Sequence, residues 1–142
     1  MMEDITFSDR MTGEEYNEMR MSVDWRPISG RQADRGIEHT TFLIAARCGE
    51  KIIGMGRVLF DFGYTAYIGD VIVAPQFQGK GIGRRITQGL MDRVMEASDP
   101  GDRIMFILGA AKGKEGFYEK LGFKKRPNDF SGCGMSMWKT RE

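Results

Sequence analysis

Gln78-Gly79-Lys80-Gly81-Ile82-Gly83-Arg84-Arg85 gathers three glycines and three cationic side chains into eight consecutive residues. Glycine lets a backbone approach a ligand closely, and the start of a helix leaves N–H groups without intrahelical partners. The helix dipole is positive at that end, and Lys80, Arg84 and Arg85 add full charges. The stretch is therefore suited to seat a phosphate or pyrophosphate. A P-loop would need Lys-Ser or Lys-Thr after its glycines, to hold magnesium through the hydroxyl. Here Gly83 leads into Arg84-Arg85, so that chemistry is excluded. A dinucleotide fingerprint needs G-x-G-x-x-G after a first strand. Gly79, Gly81 and Gly83 read G-x-G-x-G instead and lie in mid-chain.

The elements around the loop follow from periodicity. Tyr67 to Val73 is an apolar run closed by Ala74-Pro75, which reads as a strand entering the loop. Ile82, Ile86, Leu90 and Val94 form a stripe at helical spacing after it, with Met91 and Met95 as further packing residues beside Met19. Upstream, Ile5 to Ser8 is expected as a short first strand. Thr12-Gly13-Glu14-Glu15 has capping-box form, with Tyr16, Met19 and Val23 along one helical face. A second helix is expected from near Ser29. Thr41 to Arg47, Lys51 to Phe60 and Ala66 to Val73 then make an antiparallel meander. Downstream, Arg103 to Leu108 reads as a strand, Lys114 to Leu121 as a short helix, and Phe123 and Met135 to Trp138 as closing strands. The order is βααβββαβαββ, an α+β fold with a mixed, mostly antiparallel sheet flanked by helices. No linker or repeat divides the 142 residues, so one domain over residues 1–142 is expected.

Composition narrows the function classes. A net charge of +1 gives no electrostatic reason to expect nucleic acid or an acidic membrane as partner. No apolar run approaches the roughly 20 residues that span a bilayer. Met1 to Arg10 carries acidic residues and no apolar h-region, unlike a secretory signal. Cys48 and Cys133 form no CxxC or Cys/His cluster, and His39 is the one histidine, so no metal is expected. Two reduced thiols fit a cytoplasmic protein. His39 is given no role.

The loop also fits Gln/Arg-x-x-Gly-x-Gly/Ala through Gln78, Gly81 and Gly83. With the strand Tyr67-Ile68-Gly69-Asp70-Val71-Ile72-Val73 before it and Phe117-Tyr118-Glu119-Lys120-Leu121-Gly122-Phe123 after it, the chain resembles the GNAT superfamily of N-acetyltransferases from about Met11 to Trp138. The resemblance implies that Gln78, Gly79, Lys80, Gly81, Ile82, Gly83 and Arg84 cradle the pyrophosphate of acetyl-CoA. It implies that the backbones of Val71, Ile72 and Val73 pair with pantetheine like an added strand, and that one N–H polarises the thioester carbonyl. Tyr118 falls on the tyrosine that many members point at the coenzyme sulfur, as general acid; its other reading is packing beside Phe117. An acidic residue near Asp70 is common in the family, which makes Asp70 a candidate base for the amine. A carboxylate that caps the strand or pairs with Arg57 is the alternative. Asp61 and Asp129 are options for attracting a cationic acceptor. Many members carry an asparagine seven residues before the tyrosine, where this chain has Ala111. Lys112 or Lys114 reaches the 3′-phosphate or stays a solvated surface lysine. Trp25, Arg26, Tyr64 and Tyr67 fall where the family shapes its acceptor pocket.

The expected activity is transfer of acetyl from acetyl-CoA to the primary amine of a small molecule. A protein acetyltransferase acting on lysine or an N-terminus is the enzymatic alternative. A non-catalytic acyl-CoA sensor is the alternative from another class. A homodimer is an expectation from the resemblance only.

Overall fold

The computed structural model describes residues 4–142. They fall into two compact units, one running to Leu108 and the other from Gly109 onward. The first unit holds five strands: β1 (Ile5–Ser8), β2 (Phe42–Cys48), β3 (Lys51–Phe60), β4 (Thr65–Val73) and β5 (Met105–Ile107). They lie in the sheet in chain order, antiparallel through β4 and parallel between β4 and β5. The meander comes from short turns after Cys48 and Phe60, the second closed by Asp61, whose Oδ1 accepts from Gly63 N–H at 2.8 Å.

Helices α1 (Gly13–Ser22) and α2 (Gly30–Glu38) precede β2, and α3 (Ile82–Glu96) follows β4. The capping box at α1 is formed reciprocally: Glu15 N–H donates to Thr12 Oγ1, and Thr12 N–H to Glu15 Oε1, each at 3.0 Å. Glu15 also accepts from Arg47 of β2 at 2.8 Å, tying the helix start to the sheet. The second helix begins near Ser29 as expected, and Ser29 caps it by accepting from Gln32 N–H at 3.1 Å. Helix α3 packs on β2, β3 and β4, while α1 packs on α2, β3 and β4. The apolar stripe Ile82, Ile86, Leu90 and Val94 is buried as its spacing predicts. Gly54 and Gly56 of β3 let that stripe approach the sheet closely: a Cβ on Gly56 would stand 2.5 Å from Ile86 Cγ2. Met95 is the exception among the expected packing residues. It sits one position past Val94, turned off the stripe, and is 48% exposed.

The second unit holds α4 (Glu115–Glu119) and no strand among the described residues. Strands were expected from Phe123 and over Met135 to Trp138. In their place, Pro127 lacks an N–H donor, and Asn128 Oδ1 accepts from the N–H groups of Phe130 (2.9 Å) and Ser131 (3.0 Å) in a tight turn. Met135 and Trp138 are 95% and 93% exposed, so no sheet covers their side chains. The α+β class and the order through α4 are as read from the sequence.

Candidate active site

The chain leaves β4 at Val73 and reaches α3 through a short 3₁₀ turn, Pro75–Phe77, and the glycine loop. Gln78 is exposed at the start of the loop. Its Nε2 donates to Val73 O at 2.9 Å and so ties the loop back to the end of the strand. Gly79 and Gly81 hold φ of 78° and 82°, the left-handed region that a side chain resists. Gly81 is the N-cap of α3 and supplies no side chain to its first turn. The first intrahelical bond is Arg85 N–H to Gly81 O at 3.0 Å. The N–H groups of Ile82, Gly83 and Arg84 thus precede the ladder and are available to an anion. A Cβ on Gly79 or Gly81 would meet nothing within 4 Å, so the space above the loop is open. Of the three cations, Arg85 lies over the Phe7 ring at 4.0 Å and Lys80 over Phe77 at 5.5 Å. Arg84 is exposed and, with Gly81 and Gln88, lines a groove of about 490 Å³ beside α3.

Strand β4 carries the second part of the site. It pairs with β5 only at Thr65↔Met105, Ala66↔Phe106 and Tyr67↔Ile107. From Ile68 to Val73, the stretch that contains Val71, Ile72 and Val73, no strand of the described residues pairs on that side. Backbone groups that no strand pairs are a template for an extended ligand, although the side chains of Ile68 and Ile72 are buried. On its other side β4 has a bulge: Met55 pairs with Ile72 and Arg57 with Gly69, so one intervening residue of β3 faces two of β4. Asp70 sits at that bulge with φ of 52°. The bulge sends Asp70 to the α1 face while Val71 faces α3, where its Cγ2 stands 3.4 Å from a Cβ built on Gly56.

On the α1 face Asp70 is the centre of a polar cluster. Its Oδ2 accepts from Tyr16 Oη at 2.5 Å and from Arg57 Nε at 2.8 Å, and Arg20 Nη1 lies 3.7 Å from Oδ1. The pairing with Arg57, raised as an alternative for Asp70, is therefore present. Burial first, then the hydrogen bond to Asp70 and the charge of that carboxylate, push the Tyr16 phenol up to about 12. Arg57 Nη1 donates to Thr40 Oγ1 at 3.2 Å, and its guanidinium lies 5.5 Å from the Tyr16 ring centroid. Sequence reasoning had placed Tyr16 on the core face of α1 and had not singled out Arg20. No local pattern relates a helix residue to a strand residue 54 positions away.

The proposed acceptor residues are partly brought to this face. Trp25 is half-buried and lies 5.7 Å from the Arg20 guanidinium. Its loop is pinned by Asn17, which donates to Ile28 O at 2.8 Å and accepts from Ile28 N–H at 2.9 Å. Arg26 is exposed and contributes its carbonyl to Arg20 Nε at 2.8 Å. Tyr64 and Tyr67 are exposed. In the second unit, Tyr118 lies on α4 with Phe117 and Phe123 edge-on to its ring, at 4.9 and 6.0 Å. Gly122, with φ of 101°, turns the chain so that Phe123 N–H reaches Tyr118 O at 3.1 Å. Burial raises the Tyr118 pKa above its ordinary value. Among the described residues no helix is long and apolar enough to cross a membrane, and no group of three or more His, Cys, Asp or Glu is placed to hold a metal ion.

Comparison with known proteins bears on the whole arrangement. A family model described as "Acetyltransferase (GNAT) domain" matches residues 11–139. The chain is 28% identical over 124 residues to an uncharacterized N-acetyltransferase (ycf52) of Pyropia yezoensis, a match that takes in 83% of this chain and 68% of that protein. It is 35% identical over 83 residues to GCN5-related N-acetyltransferase 2, chloroplastic, of Arabidopsis thaliana, covering 58% of this chain and 31% of that protein. The crystal structure of a probable acetyltransferase of unknown function from meticillin-resistant Staphylococcus aureus is similar over 97% of this chain and 100% of that one, with a TM-score of 0.82 and 27% identity. With the family model running from the start of α1 to beyond Trp138, this chain belongs to the GNAT acetyltransferase family.

Proposed function

We propose that the protein transfers the acetyl group of acetyl-CoA to the primary amine of a small molecule by direct attack of the amine on the thioester. The observation that carries this reading is the glycine loop: two left-handed glycines open onto the uncapped first turn of α3, directly after a strand edge that no strand among the described residues pairs. That loop suits a pyrophosphate and the strand edge suits an extended pantetheine arm. Gly79, Lys80, Gly81, Ile82, Gly83 and Arg84 would hold the pyrophosphate, with Gln78 fastening the loop. Val71, Ile72 and Val73 would pair with the arm, and an N–H among them would stabilise the oxyanion that forms as nitrogen attacks. Bound acetyl-CoA supplies the activated acyl group. Nitrogen–carbon bond formation expels the thiolate, and Tyr118 is assigned the proton that the sulfur takes up. Its raised pKa keeps that phenol protonated at neutral pH.

Asp70 receives a different emphasis. As a base it would need a lone pair directed at the amine, but Oδ2 already accepts two hydrogen bonds and Arg20 stands beside Oδ1. We assign it to positioning Arg20, Arg57 and Tyr16, with the amine losing its proton to solvent. A cytoplasmic location is part of the proposal, and so is a homodimer.

Thermal unfolding with acetyl-CoA, ATP and NAD in parallel tests the coenzyme. A ligand at about 100 times its dissociation constant stabilises by about 2.7 kcal/mol. Stabilisation by ATP or NAD and none by acetyl-CoA would end this reading. Release of free CoA with a panel of small amines and with lysine peptides then separates the acceptor classes.

A further inference from the structure

The cluster on the α1 face holds two guanidiniums and one carboxylate. Arg20 and Arg57 both pair with Asp70, and among the described residues neither pairs with a second acid. Tyr16 is a neutral donor to the same carboxylate. The cluster therefore has a surplus positive charge in side chains that are only 15% (Arg20) and 21% (Arg57) exposed. A cation drawn out of water without a full counter-charge is costly, and an anionic ligand would relieve that cost.

Arg20 is the group that can receive such a ligand. A guanidinium carries five N–H donors in a planar fork. In Arg20 the one hydrogen bond among the described residues comes from Nε, to Arg26 O at 2.8 Å. Its Nη1 lies 3.7 Å from Asp70, beyond hydrogen-bonding distance. No buried side-chain nitrogen or oxygen among the described residues lacks a partner, so the remaining N–H edge is reached by solvent. The guanidinium is also oriented before any ligand arrives. It lies 5.7 Å from the Trp25 ring centroid and 6.0 Å from that of Tyr16. A planar, preoriented fork matches a carboxylate or phosphate through two parallel hydrogen bonds. The cluster is on the α1 face of the sheet, whereas the phosphate-suited loop opens α3 on the other face, so the coenzyme phosphates already have a separate seat.

We propose that Arg20 binds an anionic group of the acceptor, and that the acceptor is a small primary amine that also carries a carboxylate or phosphate. This rests on the acetyltransferase reading above. Calorimetry tests it without turnover, in the presence of CoA, with matched amines on several carbon skeletons: β-alanine against its carboxamide, γ-aminobutyrate against its carboxamide, and phosphoethanolamine against ethanolamine. The charged member is expected to bind at least tenfold more tightly, and the pair that shows the preference tells carboxylate from phosphate. Arg20→Gln is expected to reduce the preference below threefold while keeping its thermal stabilisation by acetyl-CoA, which shows that the variant folds. No preference for charge on any skeleton, or a preference unchanged in Arg20→Gln, overturns the proposal. Acetylation of neutral and anionic amines with equal efficiency overturns it as well and leaves the transferase reading intact. Charge-selective binding without CoA release from any amine has the opposite meaning: the anion site stands and the transferase reading falls.

Discussion

Tyr118 and Asp70 are the two side chains whose roles a single substitution can separate. Tyr118 keeps its proton because burial raises its pKa. A group that donates from this phenol is lost only as pH rises through that raised value, so the donor is present throughout the neutral range. Tyr118→Phe should lower kcat on the order of 100-fold, the low end for loss of a general acid, with acetyl-CoA stabilisation retained. Equal kcat in the two proteins would remove Tyr118 from the reaction. Asp70→Asn tests anchor against base. It would leave Arg57 and Arg20 facing a neutral amide, and should destabilise by about 2–3 kcal/mol, below the 3–5 of a fully buried pair because these side chains keep some solvent access. An anchor would also weaken anionic acceptors in KM more than kcat. Unchanged stability, with kcat lost and recovered only at high pH, would restore Asp70 as the base.

At the level of elements, the loop and its flanking strand and helix were legible because each rests on a local signal: an apolar run, glycines in series, a stripe at i, i+4, i+8 and i+12. The capping box of α1 was legible for the same reason. The bulge at Asp70 was not, since a register shift depends on how β3 and β4 meet rather than on either strand. The Tyr16–Asp70 bond was hidden because tyrosine reads as a core residue at helical spacing, and its hydroxyl finds a partner only in the folded chain. No strand forms among the described residues from Phe123 onward, where Gly132 and Gly134 near Met135 weaken a strand. Glycine conformation in the loop yields a matched prediction. Gly81 (φ 82°) and Gly49 (φ 61°) both have left-handed backbones and open space at Cβ. Gly81→Ala and Gly49→Ala should therefore each cost about 1–2 kcal/mol of stability from backbone strain alone. Only Gly81→Ala should also weaken acetyl-CoA binding, by at least about tenfold, since it reshapes the loop that the coenzyme phosphates would meet. Equal coenzyme affinity in the two variants would detach the loop from coenzyme binding.

For the molecule as a whole, the polar cluster joins α1 to the sheet, so its titration should be felt in global stability. The Tyr16 phenol is raised to about 12, by burial first and then by its bond to Asp70 and the charge there. Below pH 10 the residue is protonated in both folded and unfolded chains, and its hydrogen bond to Asp70 contributes in full. Between about pH 10, the ordinary tyrosine value, and pH 12 the unfolded chain releases the proton while the folded chain keeps it. The unfolded state then binds fewer protons, and stability must fall as pH rises through that window. Tyr118 shifts in the same direction, so the absolute slope mixes more than one group. The difference between wild type and Tyr16→Phe isolates one of them. Tyr16→Phe should be less stable at pH 8 by about 1–3 kcal/mol, the cost of removing a donor from a charged acceptor. Its stability should then decline less steeply from pH 10 to 12, so the two urea-denaturation curves converge. Parallel decline would mean that Tyr16 ionises alike in the folded and unfolded chains, and that the bond to Asp70 does not hold α1 to β4 in solution.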